Sequence, residues 1–196
     1  METGHAPAPG DGSANIFLVG MMGAGKTSVG KLLAKQLHKS FVDADQEIEQ
    51  RTGVRIAVIF DIEGEVGFRN REANVIRELT ARTGIVLATG GGAVLREDNR
   101  KALAENGTVV YLRAHLDELW NRTRHDKNRP LLRSGDQRAR LAELYRERDP
   151  LYCEIADLIV DTGSQSLRSL VNRLQQQLAK VPAEAPQSEV APVERP

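Results

Sequence analysis

The chain has 196 residues, with 27 Lys and Arg against 27 Asp and Glu for a formal net charge of zero, and 4% aromatic residues. Balanced charge attracts neither nucleic acid nor an anionic membrane, and so few aromatics leave little to stack on single-stranded bases. Cys153 is the only cysteine, His5, His38, His115 and His125 lack ligand spacing, and no basic leader or run of 18 apolar residues is present; one cytoplasmic domain without disulfide, zinc or membrane span is expected.

Residues 1–14 and about 181–196 hold six of the eight prolines among Ala, Gly, Glu and Ser. They offer too little apolar surface to offset the entropy of ordering, so both are expected to be disordered, leaving a domain over 15–180. It opens on Ile16-Phe-Leu-Val19, a continuous apolar run of the kind found in strands covered on both faces. Gly20-Met-Met-Gly23-Ala-Gly25-Lys26-Thr27 follows, fitting G-x-x-x-x-G-K-[ST] between a strand and a helical pattern from Thr27 to His38. Glycines let the backbone amides of Gly23, Ala24, Gly25, Lys26, Thr27 and Ser28 wrap phosphates at the positive end of the helix. Lys26 reaches the terminal phosphates in such loops, and Thr27 offers a hydroxyl to Mg²⁺.

Phe41-Val42 is a short strand candidate, and Asp43 and Asp45 follow it at the sheet edge where α/β folds bind ligands. One carboxylate there can orient or deprotonate an acceptor hydroxyl and the other can serve a magnesium shell; alternatively Asp45 caps the helix starting at Gln46. Phe68-Arg69 precedes the helical pattern of Asn70 to Arg82, itself part of a helix expected from Glu65 to Arg82. The strand Ile85-Val-Leu-Ala88 runs into Thr89-Gly90-Gly91-Gly92 with no carboxylate, which disfavours hydrolysis as the purpose. Three glycines there either bring bare amides to a second ligand or form a flexible turn.

Helices from Arg96 to Glu105, His115 to Arg124, Arg138 to Arg148 and Leu167 to Leu178 alternate with strands at Thr108–Leu112 and Leu158–Val160. Gly53, Gly84 and Gly107 stand where helices should stop, as left-handed caps. Alternating strands and helices predict an α/β fold with a parallel sheet between helical layers. The polar stretch from Arg124 to Asp136 is long for a connection and reads as a lid landing Arg129 on the phosphates. Arg129-Pro130 and Arg148-Asp149-Pro150 hold the only prolines of the domain, each fixing an arginine near a structural break. Trp120, in register with Leu116 and Leu119, and Cys153 are expected to be packing residues.

These segments, Gly20–Thr27, Asp43-Ala-Asp45, Phe68-Arg69, Gly90–Gly92, Arg129-Pro-Leu-Leu132 and Arg148-Asp-Pro-Leu-Tyr152, in this order and spacing, resemble those of shikimate kinases over about residues 15–178. The resemblance implies a three-layer P-loop kinase fold with a central five-stranded parallel sheet and a lid at about 124–136. It also implies transfer of the γ-phosphoryl group of ATP, with Mg²⁺, to the 3-hydroxyl of shikimate by a monomer. Asp45, Arg69, Gly91 and Arg148 would hold shikimate, and Lys26, Asp45 and Arg129 would be catalytic. Gly23 to Ser28, Arg122, Arg129 and Gln165 would bind nucleotide, and Thr27, with Asp43 through water, would bind the metal. A gluconate kinase, another small-molecule P-loop kinase, or a nucleotide-dependent binding module without transferase activity are the competing readings. The zero net charge conceals a separation: residues 41–65 hold seven acidic and two basic residues, and residues 122–148 hold nine basic and four acidic ones.

Overall fold

A computed structural model describes residues 14–124, 136–163 and 165–181. The expected terminal extensions beyond 14 and 181, and the lid stretch 125–135 with Arg129, lie outside the described residues. Five strands, β1 (Ile16–Val19), β2 (Ser40–Asp43), β3 (Ile85–Ala88), β4 (Thr108–Arg113) and β5 (Leu158–Asp161), pair in parallel in the order β2-β3-β1-β4-β5. Every residue of β1 and β3 is buried. Since successive side chains point to opposite faces, both faces of the sheet must be covered, which is why these strands read as unbroken apolar runs.

Among the described residues the cover comes from seven helices: α1 (Lys26–Gln36), α2 (Ala44–Thr52), α3 (Ile56–Thr80), α4 (Glu97–Asn106), α5 (Leu116–Thr123), α6 (Gln137–Ile155) and α7 (Leu167–Leu178). Helix α1 packs on β2 and β3 beside α7, while α4 packs on β4 with α3 and α6 as neighbours. Several expectations need correction. Helix α3 begins nine residues earlier than Glu65, because Gly64, at φ 69 and ψ −176, breaks the periodicity with a kink. Phe68 and Arg69 therefore lie inside the helix. Pro150 does not end α6, which continues to Ile155; the burial of Tyr152 on the far side of the proline holds the helix together across one missing backbone donor. Cys153 lies on the outer side of α6 and is exposed rather than packed. Trp120 does pack, half-buried, against the core.

Gly53 and Gly84 take the expected left-handed backbone, at φ 71 and 69. Gly107 does not: its φ of 174 is extended. Close approach explains it instead, since a Cβ there would stand 2.8 Å from Asn15 Cβ and 2.8 Å from the Phe17 ring. Asn15 is a buried joint at this end of the sheet. Its Nδ2 donates to Arg82 O at 2.6 Å and Asn106 O at 3.1 Å, and its Oδ1 accepts from Ile85 N at 3.2 Å. Asn15→Ala would orphan these buried backbone groups at once, and an expected loss of about 2 kcal/mol should appear as a lower urea midpoint.

Candidate active site

Strand register assembles the site. Leu18 is paired with Ala88, and Ala88 with Asp43, so β1, β3 and β2 end side by side and deliver the phosphate loop, Gly90–Gly92 and Asp43–Asp45 to one edge. The phosphate loop ends at Gly25, which precedes α1 in left-handed geometry at φ 93 and gives the helix no side-chain cap. The first-turn amides are thus left for an anion, as the motif requires. Lys26 Nζ lies back over the loop, donating to Gly20 O at 2.7 Å and Met21 O at 2.9 Å.

Thr27 Oγ1 donates to Asp43 Oδ2 at 2.8 Å. The other oxygen of Asp43 accepts from the backbone N–H groups of Asp45 and Gln46, so the capping role falls to Asp43 and leaves the Asp45 side chain for other work. Hydroxyl and carboxylate oxygens in contact are the donor set that Mg²⁺ favours, so these residues fit that ion.

Asp45 points its Oδ1 into a closed space where it has no hydrogen-bond partner. Its carboxyl is pushed up to about 7, by burial first and then by the negative charges of Glu72 and Asp43. Around it stand further charged side chains, among them Glu72 and Arg69. Arg69, five residues beyond the Gly64 kink, donates to Glu65 at 2.9 Å and to Glu72 at 2.7 Å. Burial opposes the charge of Arg69, but these two carboxylates more than offset it and hold the guanidinium above its ordinary value. Glu72 is fully buried, and that burial raises its carboxyl despite Arg69 and Arg148.

Arg148 is 1% exposed, yet its Nε and Nη1 are enclosed without hydrogen-bond partners. Burial, with some help from the like charge of Arg69, pulls its guanidinium below the ordinary value. The three glycines each face one of these groups. A Cβ on Gly90 would stand 2.5 Å from Glu72 Oε1 and 2.8 Å from Asp45 Oδ1; one on Gly92 would overlap the Arg69 guanidinium; one on Gly91 would lie 3.8 Å from Arg148 Nη1. The triplet is thus hemmed in by side chains and backbone of the site, which tells against a merely flexible turn.

On the other flank, Arg122 donates to Gly23 O at 3.2 Å, tying α5 to the phosphate loop, and also reaches Thr162 Oγ1 at 3.5 Å. Gln165 follows β5 at the same edge and donates to Asp161 O at 3.0 Å. Lys26, Thr27, Asp43, Asp45, Arg69, Gly91 and Arg148 thus converge, with Arg122 and Gln165 at the rim. Glu72 escaped the sequence reading. Its signal was present, an acid three residues after Arg69 and directly before the apolar positions Ala73, Val75 and Ile76, but a helical acid among several ion-paired ones gave no reason to bury it.

Two buried arginines, one of them with unpartnered donor nitrogens, beside a phosphate loop and a desolvated carboxylate, make this a P-loop kinase for a small anionic alcohol. The sequence matches the shikimate kinase family model over residues 22–179. It is 64% identical over 170 residues to a shikimate kinase of Chromobacterium violaceum, covering 87% of this chain and 92% of that protein. A shikimate kinase of Nitrosospira multiformis is 59% identical over 177 residues, 90% and 89% of the two chains. Among solved structures, shikimate kinase from Acinetobacter baumannii in complex with shikimate superposes with a TM-score of 0.85 at 46% identity, covering 88% of this chain and 96% of that one. The chain belongs to the shikimate kinase family. Among the described residues no helix is long and apolar enough to cross a membrane.

Proposed function

We propose that the protein transfers the γ-phosphoryl group of ATP to the 3-hydroxyl of shikimate, giving shikimate 3-phosphate and ADP on the route to chorismate and the aromatic amino acids. The observation that carries this is Arg148: a buried guanidinium with two unpartnered nitrogens beside a second arginine calls for a carboxylate, which a charge-assisted pair satisfies well. Arg69 and Arg148 hold the carboxylate, Gly91 and Asp45 the ring hydroxyls. The backbone from Gly23 to Ser28 holds the phosphates, Arg122 and Gln165 border the adenine, and Lys26 moves from the Gly20 and Met21 carbonyls to the transferring group. Thr27, and Asp43 through water, would hold Mg²⁺, which supplies neutralisation of phosphate charge.

Asp45 orients the 3-hydroxyl and receives its proton as the new oxygen–phosphorus bond forms and the β–γ bridging bond breaks. Arg129, outside the described residues, is assigned to the charge developing on the phosphoryl oxygens. A cytoplasmic location agrees with the single cysteine, which allows no intramolecular disulfide, and the family resemblance implies a monomer. A coupled ADP-release assay offering shikimate, gluconate and nucleoside monophosphates in parallel tests the assignment. Acceptor-dependent turnover is expected with shikimate. Turnover only with another acceptor would replace the substrate, and turnover with none would favour a binding module.

A further inference from the structure

Tyr152 is fully buried on α6, one helical turn after Arg148, and its hydroxyl donates to the carbonyl oxygen of Gly91. The same hydroxyl lies 3.7 Å from Met21 Sδ in the phosphate loop. Its ring stacks at 4.9 Å, tilted 31°, on that of Tyr111 in β4. Three successive glycines have more backbone freedom than any other tripeptide, so their conformation must be imposed from outside. The Gly90 and Gly92 carbonyls are held by the backbone N–H groups of Ala93 and Leu95, at 3.2 and 3.1 Å. The Gly91 carbonyl is held by Tyr152. Gly91 is also the glycine wedged between the phosphate loop and the clamp, its Cβ direction facing Met22 N at 3.3 Å and Arg148 Nη1 at 3.8 Å.

We infer that the Tyr152 hydroxyl is a positioning group for the acceptor site: by holding the Gly91 carbonyl it fixes the glycine loop in the conformation that shikimate meets. The inference rests on the shikimate reading of that site. Tyr152 acts through Gly91 and links the nucleotide loop, the glycine loop and the arginine helix at one buried point. Burial, the largest influence on it, pushes the phenol well above its ordinary range, so it remains a donor at every working pH.

Tyr152→Phe keeps the ring on Tyr111 and deletes the hydroxyl, which holds the Gly91 carbonyl and also faces the Arg148 guanidinium. The loop then spends less of its time in the competent conformation, and apparent affinity falls by that fraction. Shikimate Kd and KM are expected to rise about tenfold, with ATP Kd changed by less than about twofold. Tyr111→Phe is the matched control, since it deletes the partner hydroxyl, which donates to Asp149 at 2.6 Å, without touching the glycine loop. It should lower the melting temperature yet leave shikimate binding at the parent value. All titrations are run well below each protein's melting temperature. Unchanged shikimate affinity in Tyr152→Phe, equal weakening of ATP and shikimate, or a Tyr111→Phe variant that weakens shikimate equally would each overturn the inference while leaving the function intact. A parent chain that does not turn over shikimate would overturn both.

Discussion

Asp45→Asn is expected to lower turnover about a thousandfold, to leave ATP affinity within about twofold, and to raise the melting temperature of the free protein at pH 8 by on the order of 5 °C. The loss of turnover follows from the proposed role of Asp45 in taking the hydroxyl proton, while the phosphate loop proposed to bind ATP is untouched. The rise in melting temperature follows from the environment of the carboxyl. Its value in the folded protein, about 7, lies above the 3.8 of an exposed aspartate, with burial the main cause. Between these values the folded state keeps a proton that the unfolded chain has released, so the contribution of Asp45 to stability is intact below about pH 4, declines as pH rises, and is lost above about 7. Asparagine carries no charge to desolvate. The stability gain should therefore be absent near pH 4 and full above pH 7, in melts without nucleotide or divalent ions. Near-normal turnover would remove Asp45 from the mechanism, and a lower melting temperature at pH 8 would mean that its charge is compensated in the folded protein.

The sheet edge was legible in the sequence because it is written in local patterns. Four buried residues in a row announce a covered strand, and the glycine spacing before Lys26 announces a phosphate loop. Asp43 and Asp45 were legible by position, although which of them caps α2 depends on backbone geometry that spacing alone leaves open. Less local features were hidden. Gly64 interrupts the helical period, so the helical turns from Ile56 to Glu63 did not show. Pro150 looked like punctuation because a proline ordinarily stops a helix, and only the burial of Tyr152 beyond it offsets the missing donor. Glu72 and Tyr152 acquire their roles from groups brought near by the fold: Gly90 lies 18 residues from Glu72, and Gly91 lies 61 from Tyr152. No helical or strand period connects such pairs. The charge separation along the chain was readable, and the structure gives it a physical site, with the acidic segment carrying Asp43 and Asp45 and the basic one ending at Arg148.

The two clamp arginines should separate when each is replaced by methionine, which retains most of the apolar volume. Both Arg69→Met and Arg148→Met are expected to weaken shikimate about a hundredfold or more, the scale of ~3 kcal/mol for breaking a desolvated charge pair. Their effects on stability should have opposite signs. Arg148 has enclosed nitrogens without partners, and burial already lowers its guanidinium, so an apolar side chain removes a desolvated charge that nearby carboxylates only partly offset. The melting temperature of Arg148→Met should match or exceed that of the parent. Arg69 is the cation partner of Glu72 at 2.7 Å, and Glu72 has no exposed surface. Arg69→Met strands that carboxylate, and the protein should lose about 2–3 kcal/mol at pH 8, where the stranded group must either stay charged or take up a proton. Because burial already raises the Glu72 carboxyl, the loss should shrink at pH 5, where protonation is easier. Adding Glu72→Gln to Arg69→Met should therefore restore stability at pH 8 without restoring shikimate affinity. Recovery of both would mean that Arg69 serves the fold through Glu72 and does not grip the acceptor.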